Sequence, residues 1–344
     1  MTGSAKLLII ALSSQGHWFG EQAGTIEVRW VAATPMPDSV LEWDLLAGDV
    51  RLAGDRMAMA GDDQLTRLQI TPPKVRVRTT LQWTYRLRNR AGGGVIDRGA
   101  TTLHVYPSDV LAGVGTRLNG RTLLVLDRAG GLSKVLNGAG VRHERLNLMS
   151  QLQLARADLI LVAPDEIGEG AFDQAPLIDH AGAGAGVAVL HQAAAKSLAG
   201  YAVVPRKLPA TLDWRRDHGL LSGFSAEDLQ SWIVEGREET AVQLPADEPA
   251  LEIAWWPRET PGREPVPIDA LLVTKVIGKG RLVLCQLPLG PWAADPRSQQ
   301  LLANVLGYLT TRPEPTPPPS RRRVQTSPAT QPIPTITIPP GGVP

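Results

Sequence analysis

Arg121–Asp127 reads RTLLVLD, four consecutive apolar residues between a polar entry and an acid. A strand with both faces covered needs consecutive apolar positions, whereas a half-buried strand alternates. Asp158–Ala163 (DLILVA), Val187–Leu190 (VAVL) and Arg281–Leu287 (RLVLCQL) have the same texture. Leu132–Gly138, Leu148–Ala155 and Ala171–Ala181 lie between them and are short enough to be single helices. Strand, helix, strand, helix is the order of a doubly wound, flavodoxin-like α/β domain. Ser298–Thr310 places Leu301, Leu302, Val305, Leu306 and Leu309 at helical spacing, and that helix is expected to close the domain on its sheet. The α/β domain is therefore read as residues 121–312.

Upstream, the period changes to two. Thr25–Ala32, Leu41–Leu46, Thr66–Ile70, Val75–Arg88 and Thr101–Tyr106 alternate apolar with polar residues, and Gly-rich or Asp-rich turns such as Ala91-Gly92-Gly93-Gly94 separate them. Such a series predicts an all-β, immunoglobulin-like β-sandwich over residues 17–107. Residues 1–16 are then an N-terminal lead and residues 108–120 a linker. Trp30, Trp43 and Trp83 fall within the strands, where packing between sheets outweighs a sugar-stacking platform.

Downstream, residues 313–344 are rich in proline and carry no aromatic residue. Such a segment buries too little to offset its ordering entropy, so a disordered, locally polyproline tail is expected. Over all 344 residues, 35 basic and 34 acidic side chains leave a formal charge of +1. No field of that size recruits nucleic acid or an anionic membrane. The apolar run Leu7–Leu12 is shorter than a signal-peptide core, so a cytoplasmic location is the default expectation, although the chain could equally be cut from a longer reading frame. One cysteine, Cys285, excludes an internal disulfide or a cysteine zinc cluster, and its place in an apolar strand makes it a small hydrophobe.

The ends of the α/β strands carry the candidate chemistry. Asp127 and Arg128 lead into Gly130-Gly131, a turn where backbone N–H groups could meet a phosphate. Asp165 and Glu166 follow the second apolar run. His191-Gln192-Ala193 occupies the strand-to-helix turn where hydrolases place a nucleophile, but no Ser, Cys or Thr stands there. Asp127, Arg128, Asp165, Glu166 and His191 are thus candidate ligand-binding residues of one sheet edge. The pairs Asp62-Asp63, Asp165-Glu166 and Glu238-Glu239 read as solvated loop charge, since adjacent side chains cannot flank a sugar. Histidines 17, 104, 143, 180, 191 and 218 show no metal-ligand spacing, so neither a metal nor another cofactor is expected.

Three stretches carry a resemblance. Asp217–Trp232 (DHGLLSGFSAEDLQSW), Gly278–Leu289 (GKGRLVLCQLPL) with Leu301–Leu309, and the run His17-Trp18-Phe19-Gly20-Glu21 resemble the C-terminal, non-catalytic region of bacterial glycoside hydrolases of family 2 and β-galactosidase-like proteins. That region combines an immunoglobulin-like sandwich with a class I glutamine amidotransferase-like domain. The resemblance implies a catalytic barrel as partner, or a glycan, and it admits secreted relatives. The carboxylates of those hydrolases lie on the barrel, which this chain lacks, and the amidotransferase cysteine elbow is replaced at His191-Gln192-Ala193. The expected function is a non-catalytic accessory role in domain packing, partner or carbohydrate association. The alternative is a small-molecule-binding or hydrolytic domain using Asp127, Asp165 and His191.

Overall fold

The computed structural model describes residues 7–12, 16–31, 38–59, 65–168, 174–246, 248, 250–257 and 266–311. The proline-rich tail and Asp62-Asp63 lie outside them. The first eight strands are β1 (Leu7–Leu12), β2 (His17–Phe19), β3 (Gly24–Val31), β4 (Ser39–Ala47), β5 (Val50–Met59), β6 (Leu65–Ile70), β7 (Thr79–Asn89) and β8 (Val95–Tyr106). They form a three-stranded sheet, β1-β3-β6, and a five-stranded one, β2-β8-β7-β4-β5. Period two decides which side chains meet between the sheets. On β7, Leu81, Trp83, Tyr85 and Leu87 are buried, while Gln82 and Arg86 are exposed. Ile26, Val28, Leu68 and Ile70 of the smaller sheet complete this core. Each such side chain contributes roughly 1.5–3 kcal/mol when fully buried. Trp83 is a core residue, Trp43 is half-buried against the core, and the side chain of Trp30 lies outside the described residues. At Gly24 a Cβ would sit 2.3 Å from the Trp18 ring, so glycine is required for that strand to pass beneath the indole.

The sandwich departs from the sequence reading in three places. β1 pairs antiparallel with β3 along its length, so residues 7–12 belong to a sheet and are not a lead. Val50–Met59 forms the edge strand β5, whose exposed side chains hide the alternation from a pattern search. Residues 75–78 precede β7, which starts at Thr79.

The second half contains α1 (Ala112–Arg117), β9 (Leu123–Leu126), α2 (Gly131–Gly138), β10 (Glu144–Leu146), a 3-10 turn at Met149–Gln153, β11 (Leu159–Val162), α3 (Ala175–Ala183) and β12 (Gly186–Val189). Then come β13 (Ser197–Leu198), β14 (Tyr201–Lys207), β15 (Asp213–Trp214), α4 (Ala226–Gln230), β16 (Glu238–Leu244), β17 (Leu251–Trp255), β18 (Ile268–Ile277), β19 (Gly280–Cys285) and α5 (Pro296–Thr310). β10, β9, β11, β12 and β19 are parallel neighbours in that order. Counted along the chain this is 2-1-3-4-5, a doubly wound order. β9, β11, β12 and β19 are buried at every position. α1, α2 and α5 cover one face, and the 3-10 turn and α3 cover the other.

Two expectations fail here. The linker 108–120 contains helix α1, which packs on α5 through Leu111, Val114 and Leu118. Between β12 and α5 the alternation of strand and helix stops, and β19 pairs antiparallel with β18, from which β16, β14 and β13 extend one mixed sheet. Half-exposed strands such as Tyr201–Lys207 lack the continuous apolar runs that mark β9 and β11. The described residues up to 311 belong to one compact unit. Among them, no helix is long and apolar enough to cross a membrane.

Candidate functional site

The five candidate residues stand together at the carboxyl ends of β9, β11 and β12, and each is engaged by another group of the chain. Asp127 is buried, and its carboxylate accepts from the N–H groups of Gly130 (2.9 Å) and Ser133 (2.7 Å). Those are the donors that a phosphate would use, so an internal anion already occupies the start of α2. Arg128 donates its backbone N–H and its Nε to Glu166, at 2.7 and 2.6 Å. Arg145 ties the same turn by donating to the carbonyls of Asp127 (2.6 Å) and Arg128 (2.5 Å).

The second half of this edge is closed in the same way. Asp165, at φ 58°, accepts from Ala193 N–H at 2.9 Å and donates its own N–H to the His191 carbonyl at 2.9 Å. His191 Nε2 lies 3.3 Å from Glu239, whose other oxygen meets Arg237 at 2.7 Å. Gln192, in the nucleophile position, is fully buried. Its side chain donates to Ala163 and Leu190 carbonyls and accepts from Ile167 N–H, so it ties the loop after β11 to its own turn after β12. Glu166 and Glu239 are buried and paired, which corrects the reading of both acidic pairs as solvated charge.

A second polar cluster, which sequence spacing does not reveal, lies where the sandwich meets the α/β layers. His17 of β2 and His104 of β8 stack with centroids 4.9 Å apart. Asp228 of α4 is completely buried, and Arg78 grips it through Nε (2.6 Å) and Nη2 (2.9 Å). The same Nη2 lies 2.8 Å from His104 Nδ1 and 2.9 Å from Ser225 Oγ. Ser225 and Asp228 form a reciprocal capping box at the start of α4. Ser231 Oγ lies 2.9 Å from His17 Nε2 and 2.7 Å from Arg297 Nη1, and Arg297 is paired with Asp295, the N-cap of α5.

The electrostatics follow from burial and charge. Burial, followed by the positive charge of Arg297, lowers His17 to about 3. Burial and then Arg78 lower His104 as well. Burial would raise Asp228, but bonds from Ser225 and Arg78 outweigh it and hold the carboxyl below its usual range. His17, His104 and Asp228 bring three metal-ligand atoms within 4.8 Å of one another. Distant in sequence, they escape a spacing search. The Arg78 guanidinium is bonded to two of the three and supplies the positive charge there, so the set fits an internal cation better than a metal.

Cys285 is wholly buried on β19, and burial pushes its thiol up to about 12. The folded protein is expected to react with a disulfide reagent far more slowly than the urea-unfolded chain, because the thiolate is the nucleophile. Fast labelling of the native state, followed by absorbance, would show that β19 opens.

No protein-family model matches the chain, and no curated protein matches it in sequence. Among solved structures, a CARDB domain from Pyrococcus furiosus in complex with di-metal ions aligns over 30% of this chain and 96% of its own, at 8% identity and TM-score 0.22. A beta-glucosidase from Listeria innocua covers 30% of this chain and 17% of its own, at 14% identity and TM-score 0.21. A family 76 glycoside hydrolase from a bovine Bacteroides thetaiotaomicron strain covers 32% and 23%, at 9% identity and TM-score 0.23. The chain thus spans less than a quarter of either glycosidase. Likeness at this level carries no argument about fold or function.

Proposed function

We propose that this protein is a non-catalytic accessory module, an immunoglobulin-like sandwich joined to an amidotransferase-like α/β domain, that acts by packing against a glycoside hydrolase partner or a carbohydrate. The observation that supports this reading is the state of the sheet edge. Where a doubly wound domain ordinarily receives its ligand, Asp127, Glu166 and Gln192 are buried and bonded within the chain. Gln192 fills the nucleophile position with a side chain that has no acyl chemistry. The polar groups of this edge brace loops.

The purified chain should release no nitrophenol from aryl glycosides and no ammonia from glutamine above the buffer rate. His191→Gln and Glu166→Gln should lower the melting temperature without changing either rate. Hydrolysis by the parent chain that is lost in one of these variants would overturn the accessory reading in favour of an active site built on His191 and Asp165.

A further inference from the structure

The outer face of the five-stranded sheet carries charge that the fold itself does not use. Register sets Arg56 of β5 opposite Glu42 of β4, Glu42 opposite Arg86 of β7, and Arg86 opposite Arg98 of β8. At about 4.8 Å per strand, this row is about 15 Å long. Its acid is already engaged, since Arg88 Nε lies 3.0 Å from Glu42. The next acid on the face, Asp44, is held by Arg51. Arg56, Arg86 and Arg98 are all exposed, and among the described residues no ion pair holds their guanidinium groups, although the backbone N–H groups of Arg56 and Arg98 donate to the carboxylates of Asp55 and Asp97. Like charges directly opposite on neighbouring strands are destabilising, so Arg86 and Arg98 are placed against the interest of the sheet.

What lies beside the row narrows the partner. Along β7 and β8 toward the buried seam, the same face presents Thr84 opposite Ala100 and Gln82 opposite Thr102. It ends at Thr80 and His104, where Arg78 and α4 cover it. On β7 and β8 this lane is polar or small, and the one large aliphatic beside it, Leu46 of β4 opposite Gln82, is half-buried, so it lacks the cluster of aromatic or large aliphatic anchors that centres a protein–protein contact. It also lacks the aromatic platforms on which single-stranded nucleic acid stacks. Threonine and glutamine side chains suit hydroxyl groups, and guanidinium forks suit carboxylates.

We propose that this face binds a linear, carboxylate-bearing polysaccharide, with Arg56, Arg86 and Arg98 on its acid groups and Gln82, Thr84 and Thr102 beside its hydroxyls. The inference rests on the carbohydrate arm of the accessory reading and names its ligand class, but it uses a different face and different residues, so hydrolysis at the sheet edge and loss of retardation here are separate results.

The test is affinity electrophoresis of the full chain in gels containing polygalacturonate, at low ionic strength where exposed charges are least screened. The parent chain should be retarded, and neutral dextran should have no effect. Arg86→Gln with Arg98→Gln should weaken retardation about tenfold, and Arg56→Gln alone should weaken it by a smaller factor of about three, as expected for lost ionic contacts to a polyanion. Ala100→Glu places an acid in the lane and should act in the same direction. The arginine variants should melt at or above the parent temperature, because one of them removes a like-charge pair. No retardation of the parent, undiminished retardation of the double variant, or equal retardation by dextran would overturn the proposal. Tighter binding to duplex DNA than to polygalacturonate would overturn it in favour of a nucleic-acid surface.

Discussion

Replacing Asp228 by alanine is expected to cost about 3–5 kcal/mol of folding stability, the usual loss when one partner of a buried ion pair is removed. The carboxylate is completely buried, accepts from Arg78 Nη2 at 2.9 Å and from Ser225 N–H at 2.7 Å, and has Arg78 Nε 2.6 Å away. Without it the mostly buried Arg78 guanidinium keeps its charge with only the exposed Glu227 carboxylate, 4.0 Å away, as an acidic neighbour, and α4 loses half of its capping box. The loss concerns the joint between two layers, since Arg78 precedes β7 and Asp228 lies on α4. Urea denaturation followed by tryptophan fluorescence measures it. Pairing Arg78→Met with Asp228→Leu should recover much of the loss, because replacing both charges by apolar groups removes the stranded ion. His191→Gln, which breaks a partly exposed pair at the sheet edge, should cost much less. A cost below about 1 kcal/mol for Asp228→Ala would mean that the seam does not hold the layers together.

The strands β9, β11, β12 and β19 were legible because a strand buried on both faces must be apolar without interruption, and short apolar runs stand out in a sequence. The strands β13 to β17 were not, because β13 and β15 are only two residues long and β14 and β16 present mixed faces whose burial depends on partners chosen by the fold. The five sheet-edge residues follow directly on the apolar runs, so their common edge can be read from those runs, but their partners cannot. Arg145 and Glu239 lie far from Asp127 and His191 in sequence and reach them only through strand order. The buried seam was missed for the same reason, with one difference. Two of the stretches quoted for the resemblance, His17–Glu21 and Asp217–Trp232, meet in it, His17 on one side and Asp228 and Ser231 on the other. Read as separate segments they had only local meaning. The Ser225-x-x-Asp228 spacing was the one available signal, since a capping box marks a helix start, but nothing local says that its acid will also receive an arginine from another sheet.

Acid should loosen the same seam before Asp228 itself titrates. His17 is neutral in the folded protein down to about pH 3, because burial and the nearby charges of Arg297, His104 and Arg78 oppose its protonation, with Asp228 alone among the charged neighbours favouring it. The unfolded chain binds that proton near pH 6.5. Above pH 6.5 both states are neutral and His17 contributes no pH dependence. As pH falls below 6.5 the unfolded state gains a proton that the folded state refuses, so stability falls. At pH 5 the loss from His17 alone is about 2 kcal/mol, and it continues to grow until the folded histidine titrates. His104 and His218 are lowered too and act in the same direction. Asp228, held below its usual range, adds its own loss only below about pH 4, where an unfolded carboxyl is protonated. The expected result is a melting temperature nearly constant from pH 8 to 7 that drops steadily from pH 6.5 to 4.5, measured by differential scanning calorimetry at constant ionic strength. His17→Gln keeps a polar group that can meet Ser231 and should flatten the upper part of that drop, whereas Cys285→Ala should leave its shape unchanged. An equally steep fall in His17→Gln would move the acid sensitivity away from the seam and onto the carboxylates of the surface.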